Sequence, residues 1–215
     1  MDEQNQDESM AKKTALEHAM NQAERGASDL DPSRTLATLH AEDEREHAAV
    51  PPVDTPDYRA LRERDRARRT QAESALTLLQ ERGGASAEDL FHAAWLFNHG
   101  DHPDEARRAH DLAREAAERG FRPARWLAAA AYDRWCMYQG RPQKYGTQFV
   151  PDGECHRLWD TDPTTTDAER AAWDVPPLAA QLFRAEEMTR TEPQPPMTDA
   201  PAWLKAALSR WGKSG

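Results

Sequence analysis

SAEDLFHAAWLFN (residues 86–98), HPDEARRAHDLAREAAERG (102–120) and PARWLAAAAYDRWCMYQG (123–140) are the stretches whose reading decides the fold. Ser86 offers a side-chain cap to a helix whose first turn carries Glu88 and Asp89, acids that complement the open amides and positive end of a helix. Leu90, Phe91, Ala94, Trp95 and Phe97 follow on nearly every face, so this helix is expected at the centre, ending at Asn98. Asp101 to Pro103 turns the chain. Asp104 to Arg119 then repeats Ala106, Ala109, Leu112, Ala113, Ala116 and Ala117 at helical spacing, and Gly120 stops it. Pro123, at a first helical turn, opens a third helix through Trp126, Leu127, Ala130, Tyr132, Trp135 and Met137 to Gly140. Short turns predict antiparallel neighbours, and alanine faces allow the close approach seen in helical hairpin repeats.

Outward from this centre the pattern weakens. Residues 57–82 predict a long helix ended by Gly83-Gly84, with Ala72, Ala75, Leu76 and Leu79 in its second half. Its first half holds six arginines between Arg59 and Arg69, interleaved with Asp57, Glu63 and Asp65. Such pairing distances predict a solvated face in preference to a phosphate-binding stripe. Residues 1–56 read as a disordered acidic tail and linker, with a weak helix at Lys12 to Glu24 and an extended end at Pro51-Pro52. On the other side, Asp152-Gly153 could turn a small hairpin towards Leu158-Trp159. Thr166 or Asp167 caps a short helix to Trp173, and another helix runs from Leu178 to about Met188. Residues 189–201 form a proline-rich linker, and 202–215 a short amphipathic helix with Trp203, Ala207, Leu208 and Trp211 near one face. Ten residues are marginal alone, so this helix is expected to dock onto its own domain, the alternative being a groove on a partner.

Composition agrees with one domain plus solvated flanks. Of the 215 residues 31% are charged and 38% hydrophobic, and the mean hydropathy is -0.95, too polar for a core spanning the whole chain. All seven tryptophans fall between Trp95 and Trp211, whereas the first ninety residues hold one aromatic, Tyr58. Residues 1–50 carry twelve acids against five Lys or Arg, and residues 83–150 carry nine of each. A net charge of -10 argues against nucleic acid or an anionic membrane as partner, since both attract basic surfaces. Cys136 and Cys155 form no ligand series, the N-terminus has no signal-like pattern, and no apolar run approaches a membrane span. The expectation is a soluble, cytoplasmic protein with free thiols.

Certain residues suggest chemistry. They are Asn98-His99-Gly100-Asp101 at a helix end, Ala109-His110-x-Leu112-Ala113 on the next helix, Asp133-Arg134 on the third, and Gly140-x-Pro142-Gln143-x-Tyr145-Gly146-Thr147-Gln148 beyond it. In these motifs the chain resembles a family of bacterial proteins of unknown function, with Asn98 where that family usually has glutamine. The resemblance implies a shared fold and a shared site, and no reaction. The spacing of Ala106 to Ala124 resembles one tetratricopeptide or Sel1-like unit without a second copy, so an irregular all-α bundle with a minor β-hairpin is expected.

Asp133 falls in line with Trp126, Ala130 and Met137, which aims its carboxylate at the apolar side, where it needs partners. Two readings stand. In one, a structural network of a histidine, Tyr145 or loop backbone satisfies Asp133. In the other, His99, His110 and Asp133 converge as catalytic groups of a small enzyme, and Arg134, Gln143, Tyr145, Thr147 and Gln148 bind a polar substrate. Spacing around His92, His99 and Asp101 matches no metal motif, and phosphate loops and dinucleotide fingerprints are missing; neither metal nor cofactor is expected. A helical interaction module for a protein, peptide or polar small molecule is the leading reading, and the enzyme is the alternative.

Overall fold

The structure is a computed structural model describing residues 31–53, 55–198 and 200–213. The expected helix at Lys12 to Glu24 lies outside the described residues. Among the described residues the protein is all-α apart from one hairpin, in the order α1 (Pro32–His47), α2 (Pro56–Glu81), α3 (Ala87–Asn98), α4 (Pro103–Glu118), α5 (Ala124–Tyr138), β1 (Phe149–Pro151), β2 (His156–Leu158), α6 (Asp167–Ala172), α7 (Leu178–Thr191) and α8 (Ala202–Arg210).

The expected caps form. Ser86 and Asp89 exchange hydrogen bonds at the start of α3, and Thr166 with Glu169 does the same for α6. Glu105 reaches back from α4 to the amides of Asp101 and His102. Helices α3, α4 and α5 pack consecutively, and the alanine stripe of α4 is buried between its neighbours. Those small-residue faces are used in the interior. Strands β1 and β2 pair antiparallel with Val150 opposite Arg157, around a turn whose Asp152 carboxylate accepts from the Glu154 and Cys155 amides.

Three features differ from the sequence expectation. Residues 32–47, expected in a disordered tail, form α1, which buries Leu36, Leu39 and Asp43 against α2 and α3. Its inward stripe turns polar at Asp43 and His47, so periodicity alone makes it look solvated. Among the described residues the packed helices thus extend upstream of residue 57 to Pro32. The charged half of α2 is also not a fully solvated face, because Asp65, Arg68 and Arg69 are buried. Lastly, α7 continues to Thr191, into the expected linker.

The C-terminal helix docks on its own domain. Leu204, Ala207 and Leu208 of α8 join Met137, Val150 and Trp159 in a second core cluster, with Trp203 and Trp211 packed against it. Trp159 meets Trp211 edge to face at 5.3 Å between centroids. Leu208 is 1% exposed, so Leu208→Ala should cost about 2–5 kcal/mol of stability in urea unfolding. A loss below about 0.5 kcal/mol, the scale of an ordinary surface change, would show that α8 is not part of the cooperative unit.

Candidate functional site

Asp133 is fully buried near the end of α5. Its carboxylate accepts from the amides of Lys144 (2.7 Å), Tyr145 (2.9 Å) and Thr147 (3.0 Å) and from the Thr147 hydroxyl (2.9 Å). Gly146, at φ +85°, supplies the left-handed backbone that wraps the loop around this anion. Burial pushes the carboxyl pKa up and these donors oppose it. The amides of the motif are tied inward as well. Gln143 donates to the carbonyls of Gln148 and Trp159 and accepts the Gln148 amide, and Gln148 donates to Ala130. Arg170 closes the knot by donating to the Tyr145 carbonyl at 3.0 Å. Burial, then the Asp133 charge, raises the Tyr145 phenol to about 12.

The expected catalytic trio has three different sets of partners. Asp133 holds the loop, His110 bonds the Ala128 carbonyl through Nδ1 at 2.9 Å, and His99 faces α1; none of the three hydrogen-bonds to another. Of the two readings of Asp133, the geometry is that of the structural network, with backbone amides as the partners.

A different constellation forms where α1, α2 and the end of α3 meet. Asp43 of α1 and Asp65 of α2 are almost completely buried. His99 Nδ1 lies 2.7 Å from Asp43 Oδ2, and Trp95 donates its indole N–H to the same oxygen at 3.1 Å. His47 Nε2 lies 3.2 Å from Asp65 Oδ1 and 3.7 Å from Asp43 Oδ1. The two imidazole rings stack with centroids 3.9 Å apart and planes at 17°. Arg62 and Arg68 both donate to Asp65, at 2.7 and 2.5 Å. Arg62 also pairs with Asp101 and, at 2.6 Å, caps the His99 carbonyl.

The electrostatics follow from burial and pairing. Burial opposes ionisation of Asp65, but hydrogen bonds from His47 and Arg68 and the charge of Arg62 hold its carboxyl down at about 2. Burial also lowers the pKa of His99, against the pull of Asp43, so its neutral form is favoured. The charge of Arg134 adds to that lowering; this predicted binding residue therefore acts on His99. Farther along α1 and α3, His40 stacks on His92 at 4.8 Å and meets Trp95 edge to face, and burial lowers both histidines.

Among the described residues ten buried side-chain polar atoms make no aligned hydrogen bond. Two of them, Arg68 Nε and His99 Nδ1, lie at this junction, 3.3 and 2.7 Å from the Asp43 carboxylate, while His40 Nε2 and His92 Nδ1 lie farther along α1 and α3. The adjacent Asn98 and the nearby Arg134 supply two more. The short His99–Asp43 approach is thus a contact out of line for a hydrogen bond. Sequence reading missed Asp43, His47, Asp65, Arg62 and Arg68 because they come from two helices far from His99 in the chain. The available signal was Asp43 and His47 at i,i+4, continuing the Leu36–Leu39 face.

Comparison of the chain with protein-family models, with curated proteins and with solved structures gives no match.

Proposed function

We propose that the chain is a helical binding domain for a small polar ligand, held at the α1–α2–α3 junction by Asp43, His47, Arg62 and His99. The observation that carries this reading is the gathering of two buried carboxylates, two stacked imidazoles and two guanidiniums from three helices at one junction. Burying so many charged groups is costly, and titratable groups shifted by burial and by specific partners mark a candidate ligand site. The side chains of His47 and His99 are 17% and 16% exposed, which leaves an approach from solvent.

The same groups give the enzyme alternative its residues. His47 has the Asp65 carboxylate at hydrogen-bond distance, 3.2 Å, an arrangement that orients a ring for proton transfer, and His99 stacks on that ring. A cytoplasmic location belongs to the same reading: both cysteines are free, and no helix among the described residues is long and apolar enough to cross a membrane.

The test is a thermal-shift screen in EDTA of wild type and His99→Gln against inorganic phosphate, polar metabolites and short peptides. A ligand at a hundred times its Kd adds about 2.7 kcal/mol, which raises Tm by roughly 5–10 °C in a domain of this size. Such a shift in wild type and its loss in a folded His99→Gln protein is the expected result. Compounds that stabilise both proteins equally place the ligand elsewhere and refute the junction.

A further inference from the structure

Asp43, His47 and His99 place one carboxylate and two imidazole donor atoms within 4.8 Å of one another. Donors bound to one ion at about 2.0–2.2 Å stand roughly 3–4 Å apart. The separations here, 2.7 Å between His99 Nδ1 and Asp43 Oδ2 and 3.7 Å between His47 Nε2 and Asp43 Oδ1, need only small adjustment. The His99–Asp43 contact is the more telling of the two. It is short, buried on the Asp43 side and without an aligned hydrogen bond, and an ion drawn between the two atoms would widen it into the ligand range.

We propose that Asp43, His47 and His99 form a site for one divalent transition-metal ion of the zinc or cobalt type, with at least one coordination position open to solvent. The proposal rests on the junction being the ligand site, and it names a ligand class for it. Two imidazoles and one carboxylate select a first-row transition ion over calcium or magnesium, which prefer all-oxygen sites. Supporting contacts are in place. Trp95 donates to the Asp43 carboxylate at 3.1 Å, the kind of outer contact that orients a ligand. Asp65 keeps Arg62 and Arg68 as partners, so His47 can turn its Nε2 lone pair to an ion without stranding that carboxylate. The same guanidiniums oppose an added double positive charge. They therefore weaken the ion's binding and favour an anionic group in the open position.

The experiment is a titration of the full chain, untagged and stripped with chelator, with zinc by calorimetry and with cobalt by visible absorption. One equivalent should bind with a Kd in the micromolar range, weakened tenfold or more in His47→Gln and in His99→Gln. His92→Gln and His156→Gln, checked for fold by circular dichroism, should bind as wild type does. Should the two ligand variants fail to fold, wild type alone decides: cobalt must shift the Trp95 indole N–H resonance and leave that of Trp203 unmoved. No saturable binding at 100 μM metal, on the order of a hundred times the expected Kd, overturns the site. So does affinity unchanged within twofold in both variants, or a cobalt effect at Trp203 without one at Trp95. Because the ligand screen runs in EDTA and this titration uses metal alone, a silent titration removes the ion and leaves the junction reading to its own test.

Discussion

Asp133→Asn is expected to lower stability by about 3–5 kcal/mol, the range for removing one side of a buried charged contact, and Tm by roughly 6–20 °C. Four donors converge on this carboxylate, three of them main-chain amides that cannot rotate away. Asparagine keeps one oxygen and puts an NH2 where the other stood, so donors then face a donor. The orphaned amides lie in the loop that also carries Gln143, Gln148 and the Arg170 contact, and loosening that loop should spread to Trp159 through the Gln143 bond. Urea unfolding with tryptophan fluorescence measures the effect. A midpoint unchanged from wild type would show that the carboxylate does not organise the loop, and would return Asp133 to the list of groups that a substrate could meet.

Removal of α1 has a still larger expected effect. A chain starting at Pro51 loses the burial of Leu36 and Leu39, each contributing about 1.5–3 kcal/mol. It also loses the Asp43 and Glu46 carboxylates that face Arg68. Stranding that side of a buried ion network adds about 3–5 kcal/mol. The sum is comparable with the roughly 5–15 kcal/mol that holds a domain together. The truncated chain should show no cooperative transition, or one more than about 15 °C lower than a chain starting at Asp29. Equal transitions in the two chains would mean that the domain begins with α2 after all.

Much of the fold was legible because it depends on near neighbours. Ser86 with Asp89 and Thr166 with Glu169 mark helix starts in a few letters, and Asp152-Gly153 marks a turn. The tryptophans of residues 202–215 marked a helix with one apolar face, and that face docks as expected. Even the buried carboxylate at position 133 could be placed from its register on α5. Its partners could be named only as alternatives, a histidine, Tyr145 or loop backbone, because the amides that hold it are carried by every residue and no letter singles one out.

The α1–α2–α3 junction was illegible for a further reason. Arg62, Asp65 and Arg68 read as exposed helix pairs because the same i,i+3 spacing serves a solvated face and a buried network equally well. What separates the two cases is whether another helix covers the face, and here Asp43 and Glu46 of α1 do. Sequence by itself determined the helical class, the caps and turns, and the apolar face of the last helix, because the interactions that set them span few residues or one apolar stripe. Only the tertiary structure decided that α1 belongs to the domain and that Asp43, His47 and His99 meet, because helix packing places charged groups from distant segments together where water is excluded.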